Sequence, residues 1–179
     1  HLSIRRQRQM CKETGYEEAK PLLKQFLYDH PGHSGGHFYL GRCNSESKEA
    51  YWFAIAQGEF ETALTLFYRD GKKSRIQQFS DEYFEMICYL ELVKIRLRQL
   101  VVLMEFRAGK TQMEPILKGA EQALENARKA LPNSPDIATM EALIKPVREY
   151  VERFSGTFPE PNDGGRVART QAKVLPGGD

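Results

Sequence analysis

The run from Asp81 to Ala108 limits the fold more than any other part of the chain. Ser80 is placed to cap its start, and Asp81 and Glu82 suit the positive end of a helix. Arg107 suits the negative end, and Gly109 is placed to close it. Its apolar residues, from Tyr83 and Phe84 through Leu92, Val93 and Ile95 to Leu103 and Met104, cover more than one face. A helix apolar on several sides is buried by several neighbours, so a long central helix is predicted. The rest of the chain must supply those neighbours. Strand signals are nearly absent. Asp70-Gly71 is followed by Lys72, Lys73, Ser74 and Arg75, which cannot open a buried strand. The predicted class is all-α.

The other segments carry helical period. Residues 2–14 read as a first helix with sparse apolar positions at Leu2, Ile4 and Met10, broken by Gly15. From Glu17 to His30, Ala19, Leu22, Leu23, Phe26 and Leu27 recur at three- and four-residue steps. Pro21 falls in the first turn of that reading, and Pro31-Gly32 ends it. Ser34 is the expected cap of a short helix reaching Cys43. Helices are then predicted over Lys48–Gln57 and Phe60–Tyr68, separated by Gly58, with a loop at 70–74. Thr111–Leu131 and Asp136–Phe154 follow, the last with Pro146 expected to kink or split it. Residues 1–154 form the predicted helical domain. Residues 155–179, rich in glycine and proline, are read as a loose tail.

The chain has 179 residues, enough for one domain with a core. Its net charge of +2 is too small for the usual electrostatic footprint of a nucleic-acid binder. The densest basic patch, Arg5, Arg6, Arg8 and Lys12, reads as a solvated helix face. Cys11, Cys43 and Cys88 lack paired spacing and fit buried free thiols in a reducing compartment, so a cytoplasmic location is expected. No apolar run is long enough to cross a membrane. The chain begins at His1, as a processed chain or a fragment does, and the reading leaves a removed leader open.

Three helix pairs resemble tetratricopeptide repeats. Ala19, Leu23, Phe26 and Pro31 fall at the steps of a repeat's second helix, and Leu40-Gly41 is similar to the pair in a following first helix. Gly58, Phe60, Ala63 and Phe67 resemble a repeat's turn and the start of its second helix. Ala120, Leu124, Ala127 and Pro132 match the second-helix pattern again. The resemblance covers roughly 100 of the 179 residues. Alanine permits close helix approach, a large neighbour fills the groove, and proline ends the pair so that the chain can turn back. The spacing between units is irregular, and the 81–108 helix is too long for the family. The resemblance implies an irregular TPR-like array of antiparallel helix pairs, a right-handed α-solenoid.

Candidate chemistry is sparse. Gly109-Lys110-Thr111 resembles the end of a phosphate-binding loop, but Met104 stands where the motif needs glycine, and a helix precedes it. His30, His33 and His37, with Cys43 nearby, form the one metal-like or dyad-like cluster and read first as a polar turn. Glu82, Glu85 and Glu91 are taken as surface charges, since none is followed by histidine at the di-metal step. Tyr51, Trp52 and Phe53 form the densest aromatic run, expected to pack in the core.

The function expected is a non-catalytic scaffold or adaptor, without a cofactor, that binds a peptide or partner segment in a groove between helix pairs. The resemblance implies a concave surface lined by Arg5, Gln9, Lys12, Phe38 and Arg42, the cations clamping a carboxylate or acidic segment. The alternative is a helical enzyme or a metal- or ligand-binding domain using the His30–His37 turn.

Overall fold

A computed structural model describes residues 15–46, 51–73, 76 and 78–153. The predicted 2–14 helix, the Arg5–Lys12 patch with Gln9, Cys11 and the 155–179 tail lie outside them. Among the described residues six helices run in order: α1 (Tyr16–Asp29), α2 (Ser34–Ser45), α3 (Tyr51–Arg69), α4 (Asp81–Glu105), α5 (Lys110–Ala130) and α6 (Pro135–Arg153). No strand occurs among the described residues. The chain is all-α.

The helix ends follow local chemistry, and several differ from the sequence reading. Gly15, at φ +83°, precedes α1, and Glu17 and Glu18 occupy its first turn. Pro21 is the sixth helical residue rather than part of the first turn, so one intrahelical bond, to the Glu17 carbonyl, is lost. At α2 the cap is His33, not Ser34. The His33 Nδ1 accepts from the Gly36 N–H at 3.1 Å, while Ser34 is the first helical residue and is buried. Ser80 caps α4 as expected, its Oγ accepting from the Tyr83 N–H at 3.2 Å.

Gly58 does not break the chain. The helices expected on either side of it are one helix, α3, so no repeat-like turn exists at that position. An exposed mid-helix glycine costs about 1 kcal/mol relative to alanine. Burial of Phe53, Ala56, Phe60, Ala63, Leu64 and Phe67 along α3 outweighs it. Pro146 likewise sits inside an unbroken α6.

Two helices end in the same paired-bond stop. After α3, the Gly71 N–H reaches the Tyr68 carbonyl at 3.1 Å and the Lys72 N–H reaches Phe67 at 2.9 Å, with Gly71 at φ +73°. After α4, the Arg107 N–H reaches Met104 at 3.0 Å and the Ala108 N–H reaches Leu103 at 2.8 Å. Here Arg107, at φ +52°, takes the left-handed position. So α4 stops at Glu105, and Gly109 precedes α5 as its N-cap rather than ending α4.

The long helix is central. α4 packs most extensively on α5, and also on α3, α6 and α2. The chain runs back on itself from α3 to α4, because Tyr68 meets Tyr89 while Glu61 meets Arg96. It does so again from α5 to α6, where Arg128 pairs with Glu141 and Arg148 with Glu121. The core begins with phenylalanines from three helices: Phe38–Phe60 at 5.8 Å, Phe38–Phe84 at 5.7 Å and Phe67–Phe84 at 5.3 Å between centroids. Ala19, Ala63 and Ala120 are all buried, which allows the close helix approach expected of them. Gly41 goes further: a Cβ there would lie 3.0–3.1 Å from three atoms of the Phe60 ring.

Candidate binding surfaces

The predicted docking residues do not assemble into one surface among the described residues. Phe38 has 0% exposure and is a core residue, since its ring meets four other aromatic rings. Arg42 is half-exposed, with its Nε 4.0 Å from Glu91 Oε1. Arg5, Gln9 and Lys12 lie outside the described residues.

The histidine turn is built for structure. His33 caps α2 and stands edge-on to Phe26, 5.0 Å between centroids. His37 pairs through Nδ1 with Glu59 Oε2 at 2.7 Å and through Nε2 with the Pro31 carbonyl at 3.0 Å. Burial alone pulls the His37 pKa down. The Glu59 and Pro31 hydrogen bonds and the Glu59 charge outweigh it and hold the pKa above the ordinary 6.5. Cys43 is buried in the core. Among the described residues no three His, Cys, Asp or Glu side chains are grouped so as to hold a metal ion. Burial, with Glu91 and Glu85 nearby, pushes the Cys88 thiol well above its ordinary value, the opposite of what a reactive thiolate needs.

The glutamates of α4 are not uniformly surface charges. Glu91 is 5% exposed and is held by Lys94 Nζ at 2.9 Å as well as facing Arg42. Glu85 lies in a cleft and accepts from the Tyr68 hydroxyl, with Lys72 Nζ 3.6 Å from its other oxygen. The aromatic run is split: Phe53 is buried, Trp52 is half-buried beneath the Lys20 ammonium at 4.3 Å, and Tyr51 is exposed.

Two clefts open on the side of α4 that faces between α3 and α5. One, of about 550 Å³, is walled by Tyr68, Lys72, Glu85, Tyr89, Asn126 and Lys129, among others. The next, of about 350 Å³, is walled by Glu61, Thr65, Arg96, Gly119 and Gln122 and shares Tyr68, Tyr89 and Asn126 with the first. They form one groove with α4 as its floor. The two tyrosine hydroxyls stand 2.9 Å apart at its middle. Burial, then the bonds to Glu85 and Tyr89, raise the Tyr68 pKa far out of reach, so it stays a neutral hydroxyl. Arg96 donates to the Gly119 carbonyl at 2.7 Å, with Glu61 3.8 Å away.

A third cleft, of about 480 Å³, has a different character. α4 contributes Leu97, Val101 and Val102, α6 contributes Leu143 and Val147, and α3 contributes Phe53. Its two charged lining residues are Lys94 and Arg98, and no acid lines it. Val101 is 47% and Leu143 50% exposed. The sequence reading expected neighbours to cover the apolar residues of the 81–108 run, which include Leu97 and Val101. The groove residues Tyr68, Tyr89, Asn126 and Lys129 gave no signal at all, because polar residues spread over three helices share no local spacing.

No helix among the described residues is long and apolar enough to cross a membrane. Comparison with protein-family models, with curated proteins and with solved structures yields no match.

Proposed function

We propose that this chain is a non-catalytic protein-interaction module, an irregular TPR-like array in the manner of a right-handed α-solenoid. It holds an extended segment of a partner in the groove between α3, α4 and α5. The observation that carries this reading is the joining of two clefts at Tyr68, Tyr89 and Asn126 into one trough along the central helix. The buried alanines at the helix contacts and the successive reversals of the chain are in keeping with stacked pairs. The groove offers what an extended backbone needs. The Asn126 and Gln122 amides both donate and accept, and the tyrosine rings give flat apolar contact. Both acids and cations line it, which suits a segment of mixed charge. Arg42, half-exposed beside Glu91, lines neither cleft of this groove. The histidine turn supports no second reading, because His33 and His37 are engaged in holding α2.

The test is selection of displayed peptides on the full chain, followed by hydrogen exchange with a selected peptide bound. Protection is expected in α3 and α5 beside the groove. Tyr89→Ala and Asn126→Arg should each weaken that peptide about tenfold, or about 1.4 kcal/mol. Selected peptides that protect other helices, or that bind both variants as tightly as the parent, would refute the reading.

A further inference from the structure

We infer that the apolar cleft between α4 and α6 is a second, separate docking site, and that it takes a short acidic amphipathic helix of a partner protein. The shape points to a helix. The α4 lining recurs at residues 94, 97, 98, 101 and 102, the three- and four-residue steps of one stripe. At 1.5 Å per residue that stripe is about 12 Å long, or roughly two turns. Leu143 and Val147 lie one turn apart on α6 and form the facing wall. A trough of two turns between two helices accepts the apolar face of a third, with anchors spaced i, i+3, i+4 and i+7.

The charge points to acids on that partner. Six of the eight lining residues are apolar, and the other two, Lys94 and Arg98, are both cations. Each already has an intramolecular partner: Lys94 has Glu91 at 2.9 Å, and Arg98 has the Ser45 carbonyl and Glu46 at 3.9 Å. Their side chains are still 41% and 43% exposed, which leaves donors free to take a further carboxylate. The same pair argues against a second copy of this chain. A two-fold contact of cleft on cleft would gather two copies of Lys94 and Arg98 with no acid from either lining, and like-charge juxtaposition opposes association.

The site is independent of the α3–α5 groove, so the two readings fail separately. The probe is a fluorescein-labelled synthetic helix of about fourteen residues, roughly 21 Å long. It carries leucines at the anchor positions and glutamates beside them, and a control peptide carries lysines instead. Titrated with the full chain, the acidic peptide should bind with one-to-one stoichiometry and the lysine peptide at least about tenfold more weakly. Added salt should narrow the difference. Val101→Asp and Leu143→Asp, both at exposed positions, should abolish binding while far-ultraviolet dichroism and melting stay unchanged. Tyr89→Ala should leave it intact. Equal binding of the two peptides, or binding that survives both aspartates, would overturn the proposal. So would concentration-dependent dimerisation removed by Val101→Asp, or occupation of the cleft by another segment of this chain, read as Val101 and Leu143 methyl contacts to residues outside α3, α4 and α6.

Discussion

In α2, ten of twelve residues are buried, whereas α5 buries six of twenty-one, all along one stripe. Both helices come close to their neighbours, by different chemistry. α5 does so with Ala120, Ala123 and Ala127, interleaved with Leu117 and Leu124. Alanine is the best helix former, so α5 gains close contact without losing local helix preference. α2 does so with Gly35, Gly36 and Gly41, which are poor helix formers. An added Cβ at Gly36 would lie 2.7 Å from a Leu27 methyl, and at Gly35 2.7 Å from Ile76. A helix enclosed on every side can be assembled from weak helix formers when its surroundings specify it. A helix buried along a single stripe relies more on its own sequence.

The largest test of that contrast is a large-to-small change in each helix. Phe38→Ala should cost about 3–5 kcal/mol in chemical denaturation, since it opens a cavity among four packed rings. Leu124→Ala, at the edge of the α5 stripe, should cost about 2 kcal/mol. Equal losses would break the comparison. Next in size are two glycine replacements of opposite sign. Gly41→Ala should destabilise by about 1 kcal/mol net, because the clash with the buried Phe60 ring exceeds the gain in helix preference. Gly58→Ala, where an added Cβ meets nothing within 4 Å, should stabilise by about 0.5–1 kcal/mol. If both stabilise, the glycines of α2 are not there to admit neighbours.

The smallest expected effect is a pH dependence at the wall of α2. The His37 pKa is raised in the folded chain, so its contribution is complete below the ordinary value of 6.5 and fades as pH rises through the folded value. The stability difference between the parent and His37→Gln should therefore be greatest in mild acid and shrink above neutrality. A difference that grows with pH would mean that the Glu59 pairing does not govern this ring.

The same contrast explains what could be read from residues alone. α5 was legible through the spacing of Ala120, Leu124 and Ala127 and α6 through its helical period, and α4 was legible as central because its apolar residues exceed one face. The buried role of α2 was not, because Ser34, Gly35, His37, Asn44 and Ser45 have the composition of a surface turn. Phe38 was accordingly taken for a docking residue when it is the hub of the aromatic core. Gly58 was taken for a break because local preference suggests one, and burial along α3 overrides it. The end of α4 was misplaced by three residues because Arg107 accepts a backbone shape that usually signals glycine. The groove and the cleft were invisible, since each is assembled from side chains on three helices whose mutual placement has no local signature.

The contacts of α4 with α2 on one flank and α6 on the other bear on how the molecule comes apart. A row of hairpins held only by nearest neighbours can unzip from either end, one pair at a time. Here a single rod is clasped by both halves, so the loss of either half strips cover from the other. Heat should therefore dissolve α2 through α6 in one concerted step. α1, which packs chiefly on α2, is left as the flap whose amide protons exchange first.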